Sequence, residues 1–315
     1  AGADRPRAAQ RGAAMTMSRT ATPEWLAHPE HCGAPSMKFV VWVARRLGRP
    51  AARLLLFPIC LYFVLFSGAA RTASRAYLAR ALGRRSRLSD VFRHFHAFAA
   101  CLLDRVFLLD ERQALFDFRL HGAEIVSTLI ARRQGCLLLG AHLGSFEAVR
   151  AINARMPGPG VGLMMYEENA RKIGSVLSAL NPTLALDIVG LGRLDSMLAV
   201  KERVDQGDFV GILADRSLTG EGHKRCSFLG APAGFPLGPF RIAAMLKCPV
   251  VLMFGLYRGG RRYDIHFEPL AIRLDGPRAA RDSAVAEALE RYVARLEHHC
   301  RAAPYNWFNF YDFWK

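Results

Sequence analysis

Short apolar runs and longer helical patterns alternate along the second half of the chain. The apolar runs predict β-strands at 136–140, 162–166, 185–189, 209–213, 250–256 and 263–267. Apolar residues recurring every three to four positions predict helices at 123–133, 145–155, 169–180, 194–206, 238–246 and 282–302. Because strands that alternate with helices usually form parallel sheets, we expect an α/β fold with a mostly parallel central sheet flanked by helices.

The first part of the chain shows only helical patterns. Between 88 and 120, Val91, Phe95 and Phe98 recur at helical spacing on a wide apolar face. Before it, the segment 54–70 runs for 17 residues without a charge. A helix of that length spans about 25 Å, just short of the roughly 30 Å hydrocarbon core of a bilayer. The segment therefore predicts either a membrane anchor or a buried core helix.

These patterns divide the chain into three parts. Residues 1–24 are basic, lack apolar periodicity and are interpreted as a flexible leader. Residues 25–87 form an N-terminal membrane-associated helical region, and residues 88–315 form the α/β domain. Arginines flank the apolar segment on both sides, which suits an element lying at an anionic cytoplasmic surface better than a simple span.

The chain has a formal net charge of +16 over 315 residues, so we expect its surface to attract polyanions. The possible partners are nucleic acid, anionic lipid headgroups and an acidic protein, each of which carries the opposite charge. Aromatic residues do not interleave with the basic ones, and no RNA-recognition or zinc-finger pattern occurs. We therefore predict no nucleic-acid partner.

His142 and Glu147 lie five positions apart, directly after the predicted strand 136–140. A strand-to-helix turn exposes side chains at the carboxyl edge of a sheet, where open α/β folds bind ligands. A histidine there can act as a general base, and a carboxylate can orient its imidazole. The pair is the first candidate catalytic site.

A second charged pair, Asp215 and Arg216, follows the predicted strand 209–213. If the two strands are parallel neighbours, Arg216 lies in the same crevice as His142 and can meet an anionic group. The segment 227–240, rich in Gly and Pro, predicts an apolar loop over the site. The glycines near 190 lack the third glycine of a dinucleotide motif, and no metal-ligand spacing occurs, so we predict no cofactor and no metal.

Together these motifs resemble the lipid A late acyltransferase family of the lysophospholipid acyltransferase superfamily. The resemblance spans roughly residues 25–314 and rests on their order: His142 and Glu147, the strand end at Asp215, the loop from Phe228 to Gly238, and the strand that follows Pro249. It implies His142 as general base and Glu147 as its partner. The predicted substrate-binding residues are Arg171, Asp215, Arg216, Phe228 and Gly230.

The resemblance also implies a reaction in lipopolysaccharide biosynthesis. A fatty acyl chain would move from a carrier thioester, acyl carrier protein or coenzyme A, to a hydroxyl of a lipid A precursor or of a related glycolipid or lysolipid. The basic surface favours the acidic carrier protein. The expected location is the cytoplasmic face of a bacterial inner membrane. The alternative is a non-catalytic protein that keeps the fold and binds a membrane surface or an anionic polymer.

The aromatic C-terminal segment 305–314 allows two interpretations. Trp and Tyr favour the headgroup zone of a bilayer, so the segment could form an interfacial belt. It could equally pack on the sheet beneath the helix 282–302, as aromatic clusters do in soluble cores.

Overall fold

A computed structural model of the protein describes residues 34–109, 112–149, 161–166, 188–191, 194–216, 222–272 and 277–315. In these ranges the α-helices are α1 (Ala34–Phe66), α2 (Gly68–Leu82), α3 (Leu88–Leu109), α4 (Ala123–Ala131), α5 (Leu194–Asp205), α6 (Gly238–Leu246) and α7 (Arg278–Ala302). Short 3₁₀ turns occur at Gln113–Leu115 and Glu147–Val149.

The strands are β1 (Asp117–His121), β2 (Cys136–Gly140), β3 (Val161–Tyr166), β4 (Ile188–Leu191), β5 (Phe209–Leu213), β6 (His223–Phe228), β7 (Ala231–Pro236), β8 (Val250–Tyr257) and β9 (Arg262–Pro269). Seven of them form one sheet in the order β1-β9-β8-β2-β5-β3-β4. The pairing of β8 with β9 is antiparallel, and the other pairings are parallel. The predicted α/β fold with a mostly parallel central sheet is confirmed.

The centre of the sheet is apolar on both faces. All residues of β2 and β8 are buried, as expected for strands covered on two sides. Leu137 and Leu139 belong to the core cluster on one face, whereas Cys136 and Leu138 belong to the cluster on the other. Two hydrophobic cores therefore hold β2 rigidly, and its carboxyl end is a stable platform for the residues that follow.

The segments 117–121 and 227–240 differ from the sequence-based expectation. The segment Asp117–His121 forms the edge strand β1. The sequence predicts a connection here, because the mostly exposed residues of this segment form no apolar pattern. The expected loop at 227–240 is largely the antiparallel hairpin β6–β7. Leu229 and Gly230 at its tip both have positive φ angles, 50° and 79°, which a tight two-residue hairpin turn requires. Proline is tolerated in β7 because a two-stranded hairpin consists of edge strands.

The apolar segment 54–70 is not one continuous helix, since α1 ends at Phe66 and α2 begins at Gly68. One side of α1 packs on α3 and buries Leu56, Cys60 and Val64. The opposite side exposes large apolar residues, among them Leu54, Phe57, Leu61, Leu65 and Phe66. Within the described ranges, one helix has the length and hydropathy to cross a membrane: the part of α1 from Phe39 to Phe66, with a mean hydropathy of 1.6.

A buried ion pair fastens α1 to the rest of the protein. Nε of Arg49 donates to Oδ1 of Asp104 on α3 at 2.7 Å, and the Tyr263 hydroxyl of β9 donates to Oδ2 of Asp104 at 2.9 Å. Arg49 directly follows the kink at Gly48, whose φ of 81° interrupts the helix. The charged groups satisfy each other's hydrogen bonds, which a buried ion pair needs to be stable. The N-terminal helices thus have a defined position relative to the sheet.

Candidate active site

His142 and Asp215 meet because β2 and β5 are adjacent, parallel strands. The register pairs Gly140 with Leu213 at the carboxyl ends of these strands. His142 lies two residues beyond the first end and Asp215 two residues beyond the second, so both reach the same edge of the sheet. The expectation that the two strands are parallel neighbours is confirmed.

The imidazole and the carboxylate form a direct hydrogen bond. Nδ1 of His142 lies 2.8 Å from Oδ1 of Asp215, and the backbone N–H of His142 donates to Oδ2 at 3.1 Å. Asp215 is 1% exposed, whereas the His142 side chain is 32% exposed. Because an ionised carboxylate can only accept, Nδ1 carries the proton and Nε2 keeps its lone pair. His142 thus presents a basic nitrogen on its accessible side.

Burial, together with the neighbouring arginines, keeps this imidazole neutral, and the neighbouring groups keep the Asp215 carboxylate ionised. Burial lowers the pKa of His142, and the positive charges of Arg216 and Arg105 also lower it, more than Asp215 raises it. Burial raises the pKa of Asp215, but the neighbouring His142, Arg216 and the Trp307 N–H outweigh this effect and bring the pKa to about 2. At neutral pH, His142 is therefore ready to accept a proton.

Glu147 does not occupy the position that we expected beside the imidazole. Its Oε1 lies 2.7 Å from a terminal nitrogen of Arg105 on α3, and its Oε2 accepts a hydrogen bond from Ser145 at 3.2 Å. The expected helix at 145–155 begins instead as the 3₁₀ turn Glu147–Val149, and residues 150–160 lie outside the described ranges. The turn aims the carboxylate at α3, so the contact predicted for Glu147 is made by Asp215.

Gly144 allows the turn after His142 to lie against the sheet. Its φ is 70°, and a Cβ there would clash with the carbonyl oxygen of Gly255 on β8. The neighbouring Ser145 N–H donates to the same oxygen at 2.8 Å. Glycine therefore serves both the backbone conformation and the close approach, and the turn holds His142 in place.

Arg216 follows Asp215 at the end of β5, and its positive charge lowers the pKa values of both His142 and Asp215. One terminal nitrogen donates to the carbonyl oxygen of Phe308 at 2.6 Å, and the guanidinium lies 5.6 Å from the centre of the Tyr311 ring. Its Nε is buried and has no hydrogen-bond partner among the described residues. Arg216 therefore brings a positive charge with unused hydrogen-bonding capacity to the site.

The C-terminal segment packs into the protein core and also reaches the site. Trp307 is fully buried, and its indole N–H donates to Oδ2 of Asp215 at 2.8 Å. The backbone N–H of Phe308 donates to the carbonyl oxygen of His142 at 2.8 Å. Of the two interpretations of this segment, packing is confirmed. Sequence reasoning missed the contact with Asp215, and it also missed Arg105, which lies within an apolar helical pattern that carries no sign of function.

A sequence comparison identifies the family of this chain. The family model described as bacterial lipid A biosynthesis acyltransferase matches residues 24–315. The chain belongs to this family. The resemblance inferred from the ordered motifs is thereby confirmed. A search of curated protein sequences found no match.

Membership in the lipid A acyltransferase family establishes the general activity. The family transfers acyl groups in the biosynthesis of lipid A, and its members are associated with bacterial membranes. The reaction therefore requires an acyl donor and a lipid acceptor. Among the described residues, no group of three or more His, Cys, Asp or Glu side chains could hold a metal ion.

Three predicted substrate contacts of this acyltransferase need separate comment. Phe228 is fully buried, with its ring centre 5.2 Å from that of Trp307 and 5.3 Å from that of Phe235. The ring is enclosed by protein side chains, so in this structure Phe228 is a core residue. Gly230 lies at the tip of the β6–β7 hairpin, where its φ of 79° explains the glycine. Arg171 lies outside the described ranges.

Proposed function

We propose that this protein transfers a fatty acyl chain from a carrier thioester to a hydroxyl of a lipid A precursor, or of a related glycolipid or lysolipid, with His142 as general base. The observation that carries the proposal is the 2.8 Å hydrogen bond between Nδ1 of His142 and Oδ1 of Asp215. This bond selects the tautomer in which Nε2 can accept a proton. The partial exposure of His142 leaves that nitrogen within reach of a substrate.

In the proposed step, the acceptor hydroxyl attacks the carbonyl carbon of the thioester while its proton passes to Nε2 of His142. A new C–O bond forms, and the tetrahedral intermediate then collapses with cleavage of the C–S bond. The imidazolium returns its proton to the departing sulfur, so the products are an ester and a free carrier thiol. Asp215 stabilises the imidazolium between these two proton transfers.

Arg216 is the proposed contact for an anionic group of the substrate. The proposal is supported by its position next to Asp215 and by the unpaired, buried Nε of its guanidinium. A planar guanidinium suits phosphate because it can donate two parallel hydrogen bonds. Arg171 stays a predicted substrate contact. Glu147 acts indirectly in this scheme, by pairing with Arg105, whose positive charge helps to lower the pKa of His142.

The activity can be tested with purified protein in mixed micelles. A lipid A precursor and a lysophospholipid serve as acceptors, and acyl carrier protein and coenzyme A thioesters of several chain lengths serve as donors. We expect an acylated lipid A precursor, detected by mass spectrometry, with faster transfer from acyl carrier protein because the chain carries a net charge of +16. Vesicle binding without transfer from any donor would instead support the non-catalytic alternative.

We further propose that residues 25–87 lie along the cytoplasmic face of the inner membrane and that residues 88–315 form the acyltransferase domain. The apolar stripe is defined as the exposed residues Leu54, Phe57, Leu61, Leu65 and Phe66 of α1. Because the other side of α1 packs on α3, we infer that the stripe enters the bilayer in the plane of the interface. The exposed Arg45 and Arg46 of the same helix can meet anionic headgroups.

A vesicle-flotation experiment tests this placement. The double substitution of Leu61 and Leu65 with glutamate introduces two charges into the apolar stripe. Since each buried leucine contributes roughly 1.5–3 kcal/mol, we expect the bound fraction on vesicles with anionic lipid to fall more than about tenfold. Leu198→Glu on α5, where an exposed leucine is also replaced, is the matched control. Equal flotation of all three proteins would contradict the placement.

A further inference from the structure

The backbone around Trp307 is fastened to three parts of the protein. The Asn306 side chain accepts a hydrogen bond from the backbone N–H of Tyr257 at 2.6 Å and donates to the Tyr257 carbonyl at 3.1 Å. Nε2 of the buried His94 on α3 lies 2.8 Å from the Trp307 carbonyl oxygen. The Gly144 N–H donates to the carbonyl oxygen of Asn306 at 2.8 Å. The indole of Trp307 is therefore delivered to Asp215 from a rigid segment.

The indole N–H of Trp307 fixes the orientation of the Asp215 carboxylate. Oδ2 accepts two hydrogen bonds, from Trp307 Nε1 at 2.8 Å and from the His142 backbone at 3.1 Å. These two donors prevent rotation of the carboxylate and leave Oδ1 directed at Nδ1 of His142. Asp215 and Trp307 are both buried, and hydrogen bonds to a charged group are stronger where water is excluded.

We propose that Trp307 is a positioning residue for acyl transfer, which holds the Asp215 carboxylate so that its Oδ1 orients the imidazole of His142. The proposal rests on the proposed role of His142 as general base. Trp307 itself touches neither substrate nor reacting atoms in this scheme and acts through Asp215. The C-terminal segment is thereby part of the catalytic architecture as well as part of the core.

Trp307 also has a packing role, which the test must separate from positioning. Its ring centre lies 5.0 Å from that of Tyr77 and 4.8 Å from that of Phe313. Trp307→Phe removes the N–H and some volume, so it could also weaken the fold. Site-specific incorporation of benzothienylalanine at position 307 replaces the N–H with sulfur and keeps the shape of the ring. Loss of function in that variant reports on the hydrogen bond.

Trp314→Phe is the matched control. Trp314 belongs to the same aromatic cluster, with its ring centre 6.2 Å from that of Trp307, and its N–H donates to the Phe228 carbonyl at 3.3 Å. The substitution therefore makes the same chemical change without touching Asp215. Kinetics are measured as kcat and KM over a range of pH, and the His142 imidazole is titrated by NMR in the absence of substrate.

We expect both Trp307 variants to lower kcat by roughly tenfold to a hundredfold with little change in KM, and Trp314→Phe to match the wild type. Without the indole donor, the Asp215 carboxylate is no longer fixed at Oδ2, so Oδ1 stabilises the imidazolium of His142 less well. The pKa of His142 should therefore fall, and the NMR midpoint should move to lower pH.

The two readouts distinguish failure of this inference from failure of the proposed function. If the wild type transfers acyl chains but both Trp307 variants match Trp314→Phe in kcat and in NMR midpoint, the positioning role is wrong. A loss of kcat in Trp307→Phe that is absent in the benzothienylalanine variant would also overturn it. A shifted midpoint in a protein whose wild type shows no acyl transfer would uphold the coupling and reject the proposed function.

Discussion

Replacing Asp215 with asparagine is expected to lower kcat for acyl transfer by up to about 10⁴-fold, the size of the effect in a serine-protease triad. The reason lies in the two N–H groups that donate to Oδ2. They require an oxygen at that position, so the amide NH₂ of asparagine must take the place of Oδ1 and donate to Nδ1 of His142. The proton of the imidazole then moves to Nε2, which can no longer accept the proton of the acceptor hydroxyl.

Glu147→Gln provides the comparison. It makes the same isosteric change in Glu147, the carboxylate that the sequence pattern predicts as the partner of His142. The ¹⁵N chemical shifts of His142 report the tautomer in both variants. We expect Asp215→Asn to switch the tautomer and Glu147→Gln to leave it unchanged, since Glu147 contacts Arg105 and Ser145. A tautomer switch in Glu147→Gln alone would show that Glu147 orients the imidazole.

Replacing His142 with alanine is expected to lower kcat/KM by roughly 10²- to 10⁴-fold, the usual contribution of a general base. The pH dependence gives a second signature. The wild-type rate should rise with pH as the imidazolium loses its proton, with a midpoint below the ordinary histidine pKa of 6.5 because burial and Arg216 disfavour the charged form. This acid limb should be absent in the alanine variant.

His223→Ala is the control for the His142 experiment. His223 is an exposed histidine on β6, so its loss should change neither the rate nor the midpoint. Added imidazole should partly restore turnover in His142→Ala, because it can enter the space left by the side chain. Unchanged turnover in His142→Ala would contradict the proposed mechanism.

Local patterns predicted the elements that carry the site. The bounds of β2 and β5 agree with the expected strands at 136–140 and 209–213, and α6 agrees with the helix at 238–246. The reason is that a buried central strand of a parallel sheet appears in the sequence as a short, continuous apolar run, which a local pattern detects. The edge strand β1 and the hairpin β6–β7 lack such runs, so their assignment depended on partners that a local window does not contain.

The partner of His142 could not be predicted in the same way. Glu147 was favoured because it is close in sequence, whereas Asp215 is separated from His142 by 73 positions. The choice between them depends on the strand order, which places β5 beside β2, and on the 3₁₀ turn that aims Glu147 at α3. Likewise, Trp307 reaches Asp215 across 92 positions, and no periodicity signals that contact.

The sequence by itself therefore determined the α/β class, the position of His142 and of Asp215 at strand ends, and membership in the lipid A acyltransferase family. Each of these follows from local hydrophobic period or from the order of motifs. Only the tertiary structure decided that Asp215 hydrogen-bonds to His142, that Glu147 pairs with Arg105, and that Trp307 of the C-terminal segment donates to Asp215. These contacts are non-local: they arise when the whole core packs and fixes which strand lies beside which.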